Sequence, residues 1–68
     1  MVDTRLLEKK IEESGLKKKH IAKELGISGR TLTMKLQGSV EFRSSEQKKL
    51  MDILGVKTIE EMTKIFYA

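Results

Sequence analysis

The chain has 68 residues, of which 14 are Lys or Arg and 10 are Asp or Glu, and it contains no cysteine and no proline. A chain of this length forms a single domain with a small core, and without cysteine that domain has neither disulfides nor a thiolate metal site. Its apolar runs are too short for a membrane span or a signal peptide, so we expect a soluble protein in the cytoplasm.

Five helices are predicted in chain order, and the fold class is therefore all-α. Lys, Glu and Leu dominate the composition while β-branched residues are scattered, a mixture that favours helices. Glycines at 15, 26, 38 and 55 end the first four helices, since glycine readily takes the left-handed conformation found after a helix. The predicted helices span about residues 4–14, 17–25, 28–36 and 44–54, and the fifth runs from 58 onward.

Capping residues mark where the helices begin. Asp3 or Thr4 is placed to cap the first helix, and Ser28 is placed to cap the third. The fourth and fifth helices begin with the spacing of a capping box, formed by Ser44 with Gln47 and by Thr58 with Glu61.

Apolar residues at helical spacing predict one core to which every helix contributes a face. Phe42, in the loop before the fourth helix, is predicted to join it. Of the C-terminal apolar residues, either Ile65 or Phe66 is expected to point inward. The other predicted core positions are Leu7, Ile11, Ile21, Leu25, Leu32, Leu36, Leu50, Met51, Leu54, Ile59 and Met62.

Positive charge is concentrated in the middle of the chain. Residues 15–49 contain nine basic and three acidic side chains, whereas the two ends together contain five basic and seven acidic ones. A basic middle between acidic ends is typical of a surface that binds a polyanion. The charge pattern by itself is equally compatible with a solvated lysine face that only maintains solubility.

The second and third helices are joined by a very short turn. Only Gly26, Ile27 and Ser28 separate them, and so short a turn forces the helices to cross steeply, as in a helix-turn-helix. Gly26 provides the left-handed conformation that ends the second helix. Ala22, one turn earlier, allows the third helix to approach closely. These features predict a helix-turn-helix at about residues 17–37.

The segment KKHIAKELGISGRTLTMKLQG, residues 18–38, resembles the helix-turn-helix of the phage Cro and repressor family. The matching positions are Ile21-Ala22, Leu25-Gly26-Ile27-Ser28, Leu32 and Gly38, and the resemblance covers about residues 4–56. It implies a compact five-helix domain of the lambda-repressor-like (Xre) type that comprises residues 1–68. It also implies a transcriptional regulator, such as a repressor, that binds double-stranded DNA with its third helix in the major groove.

Carried over by position, the resemblance implies that the N-terminal part of the third helix faces base edges. Arg30 is the strongest candidate, because a guanidinium can donate two hydrogen bonds to O6 and N7 of guanine. Gly29 offers no side chain there, while Thr31 or Met34 is suited to a thymine methyl group. The residues implied to contact bases are Gly29, Arg30, Thr31, Thr33 and Met34.

The resemblance also implies contacts to the DNA backbone on both sides of the third helix. Lys18 stands where the family often has glutamine, and a lysine there favours a phosphate contact. Lys35 is expected to pack along its aliphatic stem while its ammonium group reaches outward. The residues implied to contact phosphate are Lys17, Lys18, Ser28, Lys35, Gln37, Arg43 and Ser44.

The sequence suggests neither an enzyme nor a cofactor site. It has no glycine-rich phosphate loop and no nucleophile–histidine pair, and His20 is its only histidine, so no metal ion or small-molecule substrate is expected. We expect a homodimer on a pseudo-palindromic operator, with the C-terminal helix or the loop at 40–42 as the contact. The alternative is a helix-turn-helix that binds protein instead, with an antitoxin-like or anti-repressor role.

Overall fold

The computed structural model describes all 68 residues as five α-helices joined by short loops, without any strand. The all-α, five-helix prediction is confirmed, and the predicted ends agree with the observed ones to within about one residue. None of the helices is long and apolar enough to cross a membrane. The helices are α1 (Thr4–Ser14), α2 (Lys18–Leu25), α3 (Gly29–Leu36), α4 (Ser44–Leu54) and α5 (Ile59–Phe66).

Side-chain caps begin α1, α3 and α5. The carboxylate of Asp3 accepts the N–H of Leu6 at 3.0 Å, so Asp3 is the cap of α1. The Thr58 hydroxyl accepts the N–H of Glu61 at 3.2 Å, which is one half of the predicted capping box. The second half is missing, because the Glu61 carboxylate bonds to Lys10 Nζ at 2.6 Å and so ties α5 to α1.

The predicted start of α4 is wrong by one residue. The residue at the N-cap position is Arg43, not Ser44, and the Glu46 carboxylate accepts the backbone N–H of Arg43 at 2.9 Å. Gln47, the predicted box partner, instead donates from Nε2 to the carbonyl of Phe42 at 3.3 Å. An ionised carboxylate at the third helical position is a stronger acceptor than an amide one residue later, which is consistent with the earlier start.

All five helices contribute to one apolar core. Phe42 is buried as predicted and meets Phe66 edge-on, with ring centroids 5.5 Å apart. Both Ile65 and Phe66 point inward, whereas the prediction for Ile59 is wrong: it is the first residue of α5 and is 78% exposed. The core consists of Leu7, Ile11, Ile21, Ala22, Leu32, Leu36, Phe42, Leu50, Met51, Val56, Ile65 and Phe66.

The two ends of the chain lie side by side. The backbone N–H of Asp3 donates to the carbonyl of Ile65 at 2.6 Å, and the N–H of Ala68 donates to the carbonyl of Met1 at 3.1 Å. The Tyr67 hydroxyl, farther from this junction, donates to Gln47 of α4 at 3.1 Å. The C-terminal segment is therefore hydrogen-bonded to both the N-terminal segment and α4. α1 and α4 are in turn the helices against which α3 and α2 pack.

Candidate nucleic-acid interface

The corner between α2 and α3 is a hydrogen-bonded helix end. Gly26 has φ +73°, and its N–H donates to the carbonyl of Lys23 at 3.1 Å. The N–H of Ile27 donates to the carbonyl of Ala22 at 3.0 Å. Gly26 therefore has the left-handed backbone conformation that often ends a helix, and glycine adopts this conformation without strain. Ala22 is buried beneath the turn. The predicted short turn and its left-handed glycine are confirmed, and α3 packs against α2.

The orientation of α3 leaves one of its faces open to solvent. Leu32 and Leu36 anchor the helix in the core. The base-contact candidates lie on the other side: four of them are exposed, and Thr31 is half-buried. The four exposed candidates are Gly29, Arg30, Thr33 and Met34.

Hydrogen bonds within α3 distinguish these candidates from one another. The Ser28 hydroxyl accepts the N–H of Thr31 at 3.1 Å and donates to the Thr31 hydroxyl at 2.9 Å. The Thr33 hydroxyl donates to the Gly29 carbonyl at 3.0 Å. Arg30, in contrast, forms no ion pair. Its guanidinium is therefore the one strong donor on this face that no internal bond occupies.

Two open grooves run along the sides of α3, and cationic side chains line both. The groove toward α2 is bordered by Gly29 and Thr33 on α3, and its cations are Lys18, Lys19 and Lys23. The groove toward α1 is bordered by Thr33 and Gln37 on α3. Its cations are Arg5, Lys9 and Lys18, and the carboxylates of Glu8 and Glu12 line it as well. Lys18 belongs to both grooves because it begins α2 next to α1.

The N-termini of α2 and α4 differ from the other three. Lys17 and Arg43 occupy their N-cap positions, and a basic side chain cannot accept the first N–H groups of its helix as Asp3, Ser28 and Thr58 do. The first turn of α2 contains no acidic residue, whereas that of α4 contains Glu46, whose carboxylate accepts the N–H of Arg43. A terminus like that of α2 attracts anions through both its free N–H groups and the helix dipole. It also places a cation at the positive end of the dipole, which opposes helix stability.

Six of the seven predicted phosphate contacts are exposed, as a phosphate contact requires. Lys18 is half-exposed and forms an ion pair with Glu8 of α1 at 3.0 Å. Arg43 and Ser44 lie at the start of α4 and border neither groove beside α3. The exposed candidates are Lys17, Lys18, Ser28, Gln37, Arg43 and Ser44.

Lys35 is the exception, and we correct its assignment. Its ammonium group does not reach outward: the side chain is buried and Nζ bonds to the carboxylate of Glu46. Nζ also donates to the Glu41 carbonyl at 3.3 Å and lies 5.7 Å from the centre of the Phe42 ring. A buried lysine needs such partners to offset the loss of water. Lys35 joins α3 to α4 and is not available to a phosphate.

The pKa of Glu46 reflects this environment. Burial disfavours the charged carboxylate and would raise its pKa. The hydrogen bond from Lys35 and the bond from the Arg43 N–H outweigh burial, so the pKa of Glu46 lies below its ordinary value. The carboxylate is therefore ionised at neutral pH and the buried ion pair is complete.

Arg5 and Lys9 were not predicted as part of the site. They belong to an N-terminal segment in which acidic residues are as prominent as basic ones, so the overall charge pattern pointed elsewhere. Their spacing of four residues does place them on one face of a helix, but the sequence gives no indication that this face lies beside α3. Only the packing of α1 against α3 brings them to the groove.

Comparison with known proteins agrees with this geometry. Residues 1–37, which comprise α1 to α3 and more than half of the chain, match the model of a family described as bacterial regulatory protein, Fis family. No curated protein and no solved structure gave a significant match. The matched region includes the complete corner and the exposed face of α3. The chain therefore belongs to the Fis family of bacterial regulatory proteins and carries a helix-turn-helix domain of the DNA-binding class.

Proposed function

We propose that this protein is a sequence-specific transcriptional regulator that acts like the phage Cro and repressor proteins its helix-turn-helix resembles. In this proposal α3 enters the major groove of double-stranded DNA with its exposed N-terminal half. The cationic grooves on either side of α3 follow the two sugar-phosphate backbones. The function requires no catalytic step and no cofactor.

The observation that carries the proposal is the unfavourable charge at the start of α2. A cation in the first turn of a helix costs roughly 0.3–1 kcal/mol where an acidic residue would stabilise it. Lys17 stands at the N-cap of α2 without a side-chain cap, and Lys18 and Lys19 follow it with no acidic residue in the first turn. The first turn of α4, in contrast, contains Glu46, which offsets the charge of Arg43. The start of α2 is suited to phosphate, and a bound phosphate would convert the repulsion there into attraction.

Within this proposal the side chains of α3 have separate roles. Arg30 reads a guanine with two hydrogen bonds, because its guanidinium has no partner within the protein. Met34 is 37% exposed and contacts a thymine methyl group. Thr31 and Thr33 contribute mainly through their methyl groups, since their hydroxyls already bond within the protein. Gly29 allows the helix to lie close to the base edges.

Backbone contacts are proposed from two directions. Lys17 and Lys18 reach a phosphate at the start of α2, and Gln37 reaches one beside α3. The hydroxyl of Ser28 already donates to Thr31, so Ser28 takes part through its backbone N–H. Arg43 and Ser44 bind a further phosphate at the start of α4. These contacts position the helix and carry no sequence information of their own.

We further propose that two copies bind a pseudo-palindromic operator, since one module buries too little surface for tight binding alone. Two α3 helices would then enter successive major grooves about 34 Å apart. Phe42, Ile65 and Phe66 already belong to the core, so the proposed contact uses the exposed Val40 and Tyr67 beside it.

Salt dependence tests the proposal directly. With about five phosphate contacts, the logarithm of the affinity for a duplex should fall against the logarithm of salt concentration with a slope of about −4 to −5. Selection from a random duplex pool should return one motif with two half-sites. Absence of binding to any duplex at low salt would refute the proposal and would favour a helix-turn-helix that binds protein.

A further inference from the structure

α1 forms one wall of the groove beside α3, and this wall is strongly charged. Arg5 and Lys9 of α1 line the groove together with Lys18 of α2, opposite Thr33 and Gln37 of α3. Arg5 and Lys9 form no ion pair, although Glu8 and Glu12 border the same groove. The groove thus presents two unpaired cations and one unpaired carboxylate, that of Glu12, next to the face proposed to contact DNA.

Glu8 already provides an anion at this place. Its Oε2 atom lies 3.0 Å from Lys18 Nζ, and the two side chains remain 44% and 53% exposed. The other carboxylate oxygen, Oε1, is enclosed and has no hydrogen-bond partner. A half-exposed ion pair contributes little to stability, and an enclosed oxygen without a donor carries a desolvation cost. A phosphate that enters the groove can therefore displace Glu8 from Lys18 at small cost.

We propose that the groove between α1 and α3 is an additional binding seat for a DNA backbone phosphate, in which Glu8 holds Lys18 until the phosphate replaces it. Arg5 and Lys9 supply the charge that draws the backbone toward α1. Glu8 acts as a carboxylate stand-in for the phosphate and lowers the affinity for every duplex alike. This inference rests on the proposed function, since it concerns the same bound DNA.

The cationic wall is tested first, with the full chain and a fixed duplex at several salt concentrations. The variants Arg5→Gln and Lys9→Gln should each weaken binding about three- to tenfold near 0.1 M salt and reduce the steepness of the salt slope by about 0.9. Lys64→Gln is the matched control, because Lys64 is exposed on α5 and lies outside both grooves. If Arg5→Gln and Lys9→Gln have the same duplex affinity and salt slope as Lys64→Gln, the additional binding seat does not exist.

Glu8 is tested with the neutral, equally shaped Glu8→Gln variant. This change should tighten binding to all duplexes by about two- to fivefold, which corresponds to the usual strength of an exposed ion pair. The gain should largely disappear when Lys18 is replaced by Met in the same chain. Glu13→Gln is the control, because Glu13 is exposed on α1 outside the groove. An equal gain from both glutamate variants would overturn the role assigned to Glu8.

The outcome for the wild-type chain separates this inference from the proposed function. If the wild-type protein binds no duplex at low salt, the proposed function itself fails. If it binds with a steep salt slope but the Arg5, Lys9 and Glu8 variants match their controls, only the additional seat is refuted.

Discussion

Lys35 of α3 and Glu46 of α4 form a buried ion pair that also includes the backbone N–H of Arg43. The pair links the C-terminal end of the helix proposed to read bases to the N-terminus proposed to hold a phosphate. Its side chains are 6% and 12% exposed, so water cannot replace either partner easily. The relative position of two parts of the proposed DNA-binding surface therefore depends on a buried contact.

Breaking this pair should destabilise the fold. Lys35→Met or Glu46→Gln leaves the other side chain buried without its partner, at a cost of roughly 3 kcal/mol. The double variant should lose much less than the sum of the two single losses, because neither charge is then left alone. Urea unfolding measures all three values. Additive losses would show that the two side chains act independently.

The ion pair between α1 and α5 provides a matched comparison. Lys10 and Glu61 also form an ion pair, at 2.6 Å, but their side chains are 28% and 40% exposed. Lys10→Gln should therefore have a much smaller effect on the urea midpoint than Lys35→Met, since solvent screens the exposed pair.

The stability of the wild-type protein should decline in acid partly through Glu46. Its pKa is lower in the folded state than its ordinary value of 4.5, so the unfolded chain takes up the proton first. The stabilising contribution is present above about pH 4.5 and is lost as the pH falls through the folded-state pKa. The gap in unfolding free energy between wild type and Glu46→Gln should narrow below that pH. A constant gap from pH 7 to pH 3 would contradict this.

Two glycines near the corner should respond oppositely to alanine. Gly26 has φ +73°, so Gly26→Ala should cost roughly 1–2 kcal/mol through backbone strain alone, because a Cβ atom there meets nothing within 4 Å. Gly29 also has open space around its Cβ position, and its φ is ordinary for a helix. Gly29→Ala should stabilise the protein by about 0.4–1 kcal/mol. Thermal unfolding of both variants tests the assignment of the corner.

Lys17→Ser should separate stability from DNA affinity. A serine supplies the side-chain cap that α2 lacks and should stabilise the protein by about 0.5–2 kcal/mol. The same change removes a proposed phosphate contact, so binding to every duplex should weaken and the salt slope should become shallower. If the variant is both more stable and an equally strong binder, Lys17 does not contact the backbone.

Arg30 and Lys18 should affect DNA binding in different ways. Arg30→Ala should abolish the preference at one base position and cost about 1–3 kcal/mol on the preferred site. Lys18→Ala should weaken binding to all sequences alike. Site selection with each variant measures the difference. Identical effects on sequence preference would show that the division into base and phosphate contacts is wrong.

Local signals in the sequence were sufficient to locate the helices. Asp3, Ser28 and Gly26 act through hydrogen bonds to neighbours a few residues away. Their effect on where a helix begins or ends therefore depends little on the rest of the fold. The start of α4 was placed one residue late because two acceptors compete there, and Glu46 is favoured by a charge that Lys35 helps to keep. The outcome thus depends on Lys35, which lies eleven residues before Glu46 in the chain.

The sequence by itself determined the five helices, the corner at Gly26 and the exposed face of α3, since periodicity and turn chemistry are local properties. Only the tertiary structure decided which charges lie beside that face. It buried Lys35 against Glu46 and brought Arg5 and Lys9 of α1 to the same groove as Lys18. The sequence does not indicate whether a charged side chain will be solvated or paired with another residue, because that depends on how separate helices pack.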